Sequence, residues 1–422
     1  MDADAGAAQM ISSKQNKILA FPYSQYDALI CDGAVRSGKT SLMVVAFIDW
    51  AMREFSGQRF GICGKTVGSA TENMVIPYIS MRYAKKHYTL QWRRSQKILE
   101  VRRGRRVNYF EVFGGRDESS FALIQGRTLA GVLLDEVVLM PESFVNQALA
   151  RCSAEGARFW FSCNPGNPSH WFKTDWIDKR KEHNALYLHF EMTDNPSLGE
   201  KTLARYQSMY SGVFYDRYIR GMWVAAEGLV YPMFDKTIHV LKNEPETEGD
   251  YYVSSDFGIQ NATVFLLWRQ ERETKRWICL REWYYSGREE KHQKTVSELV
   301  DGLSKMLGEI KPKNIIIDPS ASALKVELRR RGFHTWDANN DVLDGISDVC
   351  SMLQAEELAF MECCKNTIKE FGAYFWDEKA ADNGIDAPLK ENDHAMDAIR
   401  YFVKTTQLVR KNNRKRYQSI LG

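Results

Sequence analysis

Three groups of residues in this chain have the types and spacing to do chemistry. The first is "GAVRSGKT", in which Gly33 is followed after four residues by Gly38-Lys39-Thr40. Glycines let a backbone wrap an anion, and the amides at a helix start point at phosphate oxygens. The full spacing is that of a triphosphate-binding loop. Lys39 would reach the β- and γ-phosphate oxygens, and the Thr40 hydroxyl would join the shell of a Mg²⁺ ion. Arg36, Ser37 and Ser41 complete the candidate nucleotide contacts.

The second group is Asp135-Glu136, at the end of "AGVLLDEVVLM". An acidic pair after a strand is most often a cap or a loop. Downstream of a complete phosphate loop, it reads as a magnesium ligand (Asp135) and a carboxylate polarising the attacking water (Glu136). Asn164, in "FSCNPGNP", either contacts the γ-phosphate and reports hydrolysis or belongs to a turn. Arg116 and Arg127 lie upstream of the acidic strand. Each is either an arginine finger for a neighbouring subunit or a partner of surface acids.

The third group is Asp256, Asp318, Asp397 and His394, in "SSDFG", "IIIDP" and "NDHAMDAIRYF". Crowded carboxylates raise one another's pKa, and hard divalent cations remove that repulsion. Two Mg²⁺ or Mn²⁺ ions about 4 Å apart can activate water and stabilise a leaving oxygen in phosphodiester cleavage. His394 would orient water or protonate the leaving group; alternatively it is a partly buried helix histidine, and Asp256 in "SSDFG" belongs to a strand-end turn.

Elements must bring these groups together. "YDALICDGAV" reads as the strand feeding the phosphate loop, and "SLMVVAFIDWAMREF" as the helix leaving it. A second "GKT", Gly64 to Thr66, has Arg59 where the leading glycine is needed, so "RFGICGK" is the next strand instead. After the acidic loop "NEPETEGD", three strand-like runs ("YYVSSDF", "ATVFLLW", "RWICLREWYY") imply an antiparallel meander. A helix follows, roughly Glu290 to Leu307, and then the buried strand "NIIID". If that strand runs beside the first of the meander, Asp256 and Asp318 become neighbours. A final helix docked by Ala395, Ile399 and Phe402 would deliver His394 and Asp397, three apart, to the same point.

Composition sets the frame. The 422 residues are 44% hydrophobic and 26% charged, with a net charge of +3. Mean hydropathy is −0.41. This is ordinary globular composition for two or three domains. Gln91 to Arg106 carries seven Lys/Arg against one Glu, and Arg410 to Arg416 carries five basic residues and no acid. These are either a solvated hairpin and a frayed terminus or nucleic-acid contacts. Eight cysteines without a CxxC pair argue against a zinc or disulfide framework. No apolar run approaches the ~18 residues of a membrane span, so a cytosolic protein with no membrane partner is expected.

"GAVRSGKT", "LLDE", "SCNP", "SSDFG", "IIIDP" and "DHAMDAIRYF", in this order, resemble the large terminase subunit of tailed double-stranded DNA bacteriophages. The resemblance spans about Lys14 to Val409. It implies an α/β chain with an N-terminal P-loop (ASCE-type) ATPase domain over 1–210, built on a mainly parallel sheet. A linker over 211–249, an RNase H-like nuclease domain with a mixed sheet over 250–408, and a basic tail over 409–422 complete it. The implied activities are ATP-driven DNA translocation into a procapsid and endonucleolytic cutting of concatemers in the host cytoplasm. The implied ligands are ATP with Mg²⁺ in the motor and two Mg²⁺ or Mn²⁺ in the nuclease. Implied partners are double-stranded DNA, the portal, the small terminase subunit and other copies in a homo-oligomeric ring. By the same resemblance, Lys39, Thr40, Asp135 and Glu136 serve ATP, Asn164 couples hydrolysis to motion, and Arg127 is favoured over Arg116 as the trans-acting arginine. Asp256, Asp318 and Asp397 are implied metal ligands. Gln15 and Tyr26 are the candidates for the adenine contact, and Arg93, Arg94, Arg102, Arg103, Arg105 and Arg106 for a DNA channel. A cellular ATPase-nuclease of recombination or repair, and a C-terminal half acting only as a scaffold, are the competing expectations.

Overall fold

A computed structural model describes residues 11–210, 212–258, 262–288 and 290–406; the basic tail lies outside them. Two compact units result. The first comprises the described residues through Gln207 together with Val213–Ala225 and Asp382–Ile385. The second comprises Ser208–Gly212, Ala226–Ala381 and the described residues from Asp386 on. The segment expected as a linker is therefore divided, with 213–225 in the first unit and 226–249 in the second.

The first unit is built on one sheet of eight strands. These are β1 (Ala28–Gly33), β2 (Arg59–Gly64), β3 (Thr89–Arg93), β4 (Ile98–Arg103), β5 (Arg106–Gly114), β6 (Gly131–Asp135), β7 (Arg158–Ser162) and β8 (Ala185–Phe190). Their order is β3-β4-β5-β2-β6-β7-β1-β8. Strands β5, β2, β6, β7, β1 and β8 are parallel, and β3-β4-β5 form an antiparallel edge. Strands β1 and β6 are buried at every position, which is why each reads as an apolar run closing on an acid. Two helices matter for the site, α1 (Ser13–Ala20) and α2 (Lys39–Glu54). Helix α2 buries Met43, Phe47, Trp50 and Ala51 against the sheet. Phe47 meets Trp160 of β7 with ring centroids 5.7 Å apart.

The second unit has a mixed sheet of seven strands, β9 (Val240–Leu241), β10 (Thr247–Asp256), β11 (Ala262–Glu271), β12 (Trp277–Ser286), β13 (Asn314–Ile317), β14 (Thr335–Asp337) and β15 (Leu358–Met361). The order is β14-β13-β10-β11-β12-β15-β9. Strands β10, β11 and β12 are the antiparallel meander. Strand β13 lies parallel to β10, with Ser255 opposite Ile317. The helix expected from Glu290 starts later, at Val296. Thr295 is its cap: its hydroxyl accepts the Glu298 amide, and Glu298 reaches back to the Thr295 amide. Residues 394–406 are helical. Ala395, Ile399 and Phe402 are fully buried, and Phe402 stacks on Trp268 with centroids 4.4 Å apart.

Candidate active sites

The site in the first unit forms where β1 ends. Gly33 has φ 123°, and a Cβ there would lie 1.9 Å from the Phe190 carbonyl oxygen, so only glycine fits. Gly38, at φ 82°, caps α2 in the left-handed region. The first amides of α2 therefore face the loop, where no intrahelical acceptor exists. From α1, the Gln15 amide donates to the Ser37 carbonyl at 2.9 Å. The Asn195 amide donates to the Arg36 carbonyl at 2.7 Å. Gln15 thus braces the loop, and Tyr26 does not line the cleft.

Lys39 is buried, and its ammonium donates to the Asn164 side-chain oxygen at 2.8 Å and the Ala34 carbonyl at 3.1 Å. Burial lowers its pKa, opposed by nearby anionic groups. Asn164 follows β7, so the turn reading and the site reading meet in one residue. Strands β6 and β7 are neighbours, with Asp135 in register with Ser162. The Asp135 carboxylate accepts from Thr40 and from Ser162, each at 2.8 Å. Burial raises the Asp135 pKa, against these hydrogen bonds and the Lys39 charge. Ser162 as a partner was not singled out in the sequence; its place beside Asp135 depends on strand register, which local patterns do not carry. Glu136 is non-glycine yet left-handed, at φ 56° and ψ 44°, a strained conformation of the sort that concentrates at functional sites. A cleft of about 360 Å³ is lined by Arg36, Lys39, Thr40, Ser41, Asp135, Glu136 and Asn164, with Glu72 and Asn73 opposite. Hydroxyl and carboxylate oxygens of Thr40, Ser162 and Asp135 are the donor chemistry Mg²⁺ prefers.

Arg127 lies outside this cleft and pairs with Glu111 at 3.4 Å. Arg116 is exposed and also outside the lining. In the basic hairpin, Arg93 and Arg102 hold the buried Glu100, and Arg106 donates to the Met52 and Arg53 carbonyls. Part of that cationic run therefore serves the β3-β4-β5 edge, while Arg94, Arg103 and Arg105 are exposed.

In the second unit, Asp256 ends β10 and Asp318 directly follows β13, side by side. The Asp256 carboxylate accepts from His394 Nδ1 at 2.8 Å. Burial raises the Asp256 pKa, His394 opposes this, and the charges of Asp397 and Asp393 push it further up. Burial alone would lower the His394 pKa, but the Asp256 carboxylate outweighs it and the net shift is upward. Asp318 accepts from the Ser320 amide at 2.7 Å, from Asn340 at 3.2 Å and from the Tyr401 hydroxyl at 3.2 Å. These bonds outweigh burial and lower its pKa. Burial raises the pKa of Tyr401, and all three aspartates act on it in the same direction. Arg400 is buried and donates to Asp397 at 2.8 Å. Lys390 stands 3.6 Å from both Asp393 and Asp397.

Glu370 holds the start of the last helix. Its carboxylate accepts the Ala395 amide at 2.7 Å, the Met396 amide at 3.3 Å and the Tyr284 hydroxyl at 2.9 Å. It therefore satisfies two of the donors a helix start leaves without partners, and burial pushes its pKa up to about 7. Asp393, Glu370, Arg400 and Tyr401 were not singled out in the sequence. Asp393 and Arg400 carried a local signal, four before and three after Asp397; Glu370 had none.

The donor chemistry of this site fits a hard divalent cation: three aspartates act on one tyrosine, and Asp397 and Asp393 raise the pKa of a buried neighbour. The side chains do not already form a ligand cage, since among the described residues no three His, Cys, Asp or Glu side chains are grouped to hold a metal ion. One Asp397 oxygen is taken by Arg400.

Fold and sites together define a two-unit α/β protein, with a phosphate loop on a mainly parallel sheet in the first unit and clustered carboxylates on a mixed sheet in the second. The profile described as "Terminase large subunit, T4likevirus-type, N-terminal" matches residues 30–238. The large terminase of a thermophilic bacteriophage is similar at 47% identity, over 94% of this chain and 99% of that one, with a TM-score of 0.90. The structure of that terminase with ADP is 46% identical over 94% and 99%, with a TM-score of 0.88. Its structure with ATP-gamma-S is 46% identical over 93% and 98%, with a TM-score of 0.87. No curated protein sequence matches. The chain belongs to the large terminase family, the phage DNA-packaging motor subunits. No helix among the described residues is long and apolar enough to cross a membrane.

Proposed function

We propose that this large terminase hydrolyses ATP to move double-stranded DNA into a procapsid through a portal, and cuts concatemeric DNA with a metal-dependent endonuclease. The observation that carries the motor is the convergence of Lys39 with Asn164 and of Thr40 and Ser162 on Asp135. Thr40 and Asp135 would hold Mg²⁺ between them. Lys39 would hold the terminal phosphates, and Glu136 would orient the attacking water. Asn164, bonded to Lys39, is positioned to respond when the terminal phosphate of a bound nucleotide competes for that ammonium. Arg127, exposed beyond its Glu111 contact, would act on a neighbouring copy in a ring. The small terminase subunit would deliver the DNA.

For the nuclease, Asp256, Asp318 and Asp397 would hold divalent ions, which lower the pKa of a bound water and stabilise the leaving oxygen. His394, fixed on Asp256, would hold or pass a proton at its other ring nitrogen. One pair of variants tests both halves. Lys39→Ala should lose ATP turnover at least a hundredfold and still cut plasmid with Mn²⁺, because one missing preorganised cation at a transferring phosphate costs about that much. Asp256→Ala should do the reverse. Loss of both activities in either folded variant would overturn the two-site assignment.

A further inference from the structure

Directly before Gly33, at the end of β1, lies Asp32, a fully buried carboxylate that the chemistry above does not use. Its partners come from two directions. Across the strand pair, His189 of β8 is its register partner and places Nδ1 2.9 Å from one oxygen. Trp223 donates its indole N–H to the other oxygen at 2.7 Å. The hydrogen bond to Asp32 raises the His189 pKa, which favours the protonated ring beneath the loop.

Trp223 belongs to 213–225, the stretch that packs with the first unit. Other contacts hold the same stretch to the loop. The Val35 amide donates to the Tyr218 carbonyl at 2.9 Å. Gly221, at φ 70°, is in the left-handed region that favours glycine, and a Cβ would crowd the Ala34 nitrogen and the Phe190 oxygen at 3.1 Å. Arg217, buried, donates to the Val224 carbonyl and closes the turn that presents Trp223. Trp223 also approaches Gly166, in the turn that carries Asn164, and Asn164 holds Lys39. One indole therefore donates to the carboxylate before the loop and packs against the core that includes Cys163, next to the residue that holds Lys39.

We propose that Asp32 and Trp223 are a positioning pair that clamps 213–225 to the phosphate loop and the Asn164 turn, so that nucleotide occupancy and docking of this segment are one linked equilibrium. The inference rests on the ATPase reading. Linkage is reciprocal: a nucleotide that draws Lys39 from Asn164 must alter the Trp223 environment, and loosening Trp223 must weaken nucleotide binding.

The experiment is ADP titration of the full chain followed by tryptophan emission, with Trp223→Phe subtracted to isolate Trp223. Saturating ADP is expected to change the Trp223 signal. Asp32→Asn, whose amide cannot accept from both donors as the carboxylate does, is expected to bind ADP about tenfold more weakly, an ordinary coupling between sites. It should also lose the Trp223 response. If Asp32→Asn does not fold, His189→Gln should move both quantities in the same direction by less. A chain that binds ADP without any Trp223 response overturns the proposal, as does a folded Asp32→Asn, or failing that His189→Gln, matching wild type in both. A wild-type chain that neither binds ADP nor turns over ATP overturns the ATPase reading itself, and the proposal with it.

Discussion

Asp256 and Asp318 stand next to one another because β10 and β13 run parallel in adjacent positions, with Ser255 opposite Ile317 one step earlier. Some sixty residues separate the two acids along the chain, and antiparallel strands β11 and β12 intervene in sequence. Strand pairing alone brings them together. The helix over 394–406 then adds His394 to Asp256 and Tyr401 to Asp318.

Asp318→Ala should abolish plasmid cleavage in Mn²⁺ while leaving ATP turnover within about twofold, since the two sites are built on different sheets. Gel analysis of cut plasmid beside a phosphate-release assay checks it. Cleavage at the wild-type rate would remove Asp318 from the site.

Arg400 is the buried partner of Asp397 and also donates to the Asn340 carbonyl at 2.9 Å. Arg400→Met should lower stability by about 3–5 kcal/mol, the cost of leaving a buried charge without its partner. Denaturant unfolding of the second unit measures this, and a loss under about 1 kcal/mol would mean Asp397 finds another cation, with Lys390 the nearest.

Glu136→Gln keeps the shape of the side chain but removes the charge that would polarise water. ADP affinity should stay within a few-fold, while ATP turnover falls by about 10²–10⁴, the range for a positioned base. A parallel loss of affinity would place Glu136 in binding instead.

The His189–Asp32 pair makes stability depend on pH, with a definite sign. The folded His189 pKa is raised above its unfolded value of about 6.5. The stabilisation is then fully present below about 6.5 and is lost as pH rises through the folded value. The melting temperature of wild type minus that of His189→Gln should be largest near pH 6 and shrink toward pH 8.5. A difference that does not vary with pH would mean the pair is not charged.

Much of the fold was legible in local pattern. The phosphate-loop strand, the Asp135 strand and the buried face of Ala395, Ile399 and Phe402 follow from apolar runs and helical spacing. One helix start was misplaced by six residues because the Thr295–Glu298 capping box outranks the polar stretch before it. Partners that depend on pairing in the fold were not legible: Glu370 caps a helix 25 residues further on, and Glu100, the one acid of a strongly cationic run, holds two of its arginines. The hairpin's arginines could be counted in the sequence, but whether each faced a carboxylate could not. Asp32 carried no local signal, because its partners His189 and Trp223 lie 157 and 191 residues further along the chain.

The central claim is that Asp256, Asp318 and Asp397 grip divalent ions, and anomalous diffraction from a manganese-soaked crystal tests it most directly. The expected result is a strong peak bonded to Asp256 and Asp318, with Asp397 turned toward it and Lys390 displaced. Those three carboxylates without a peak, at manganese concentrations that support plasmid cleavage, would contradict it.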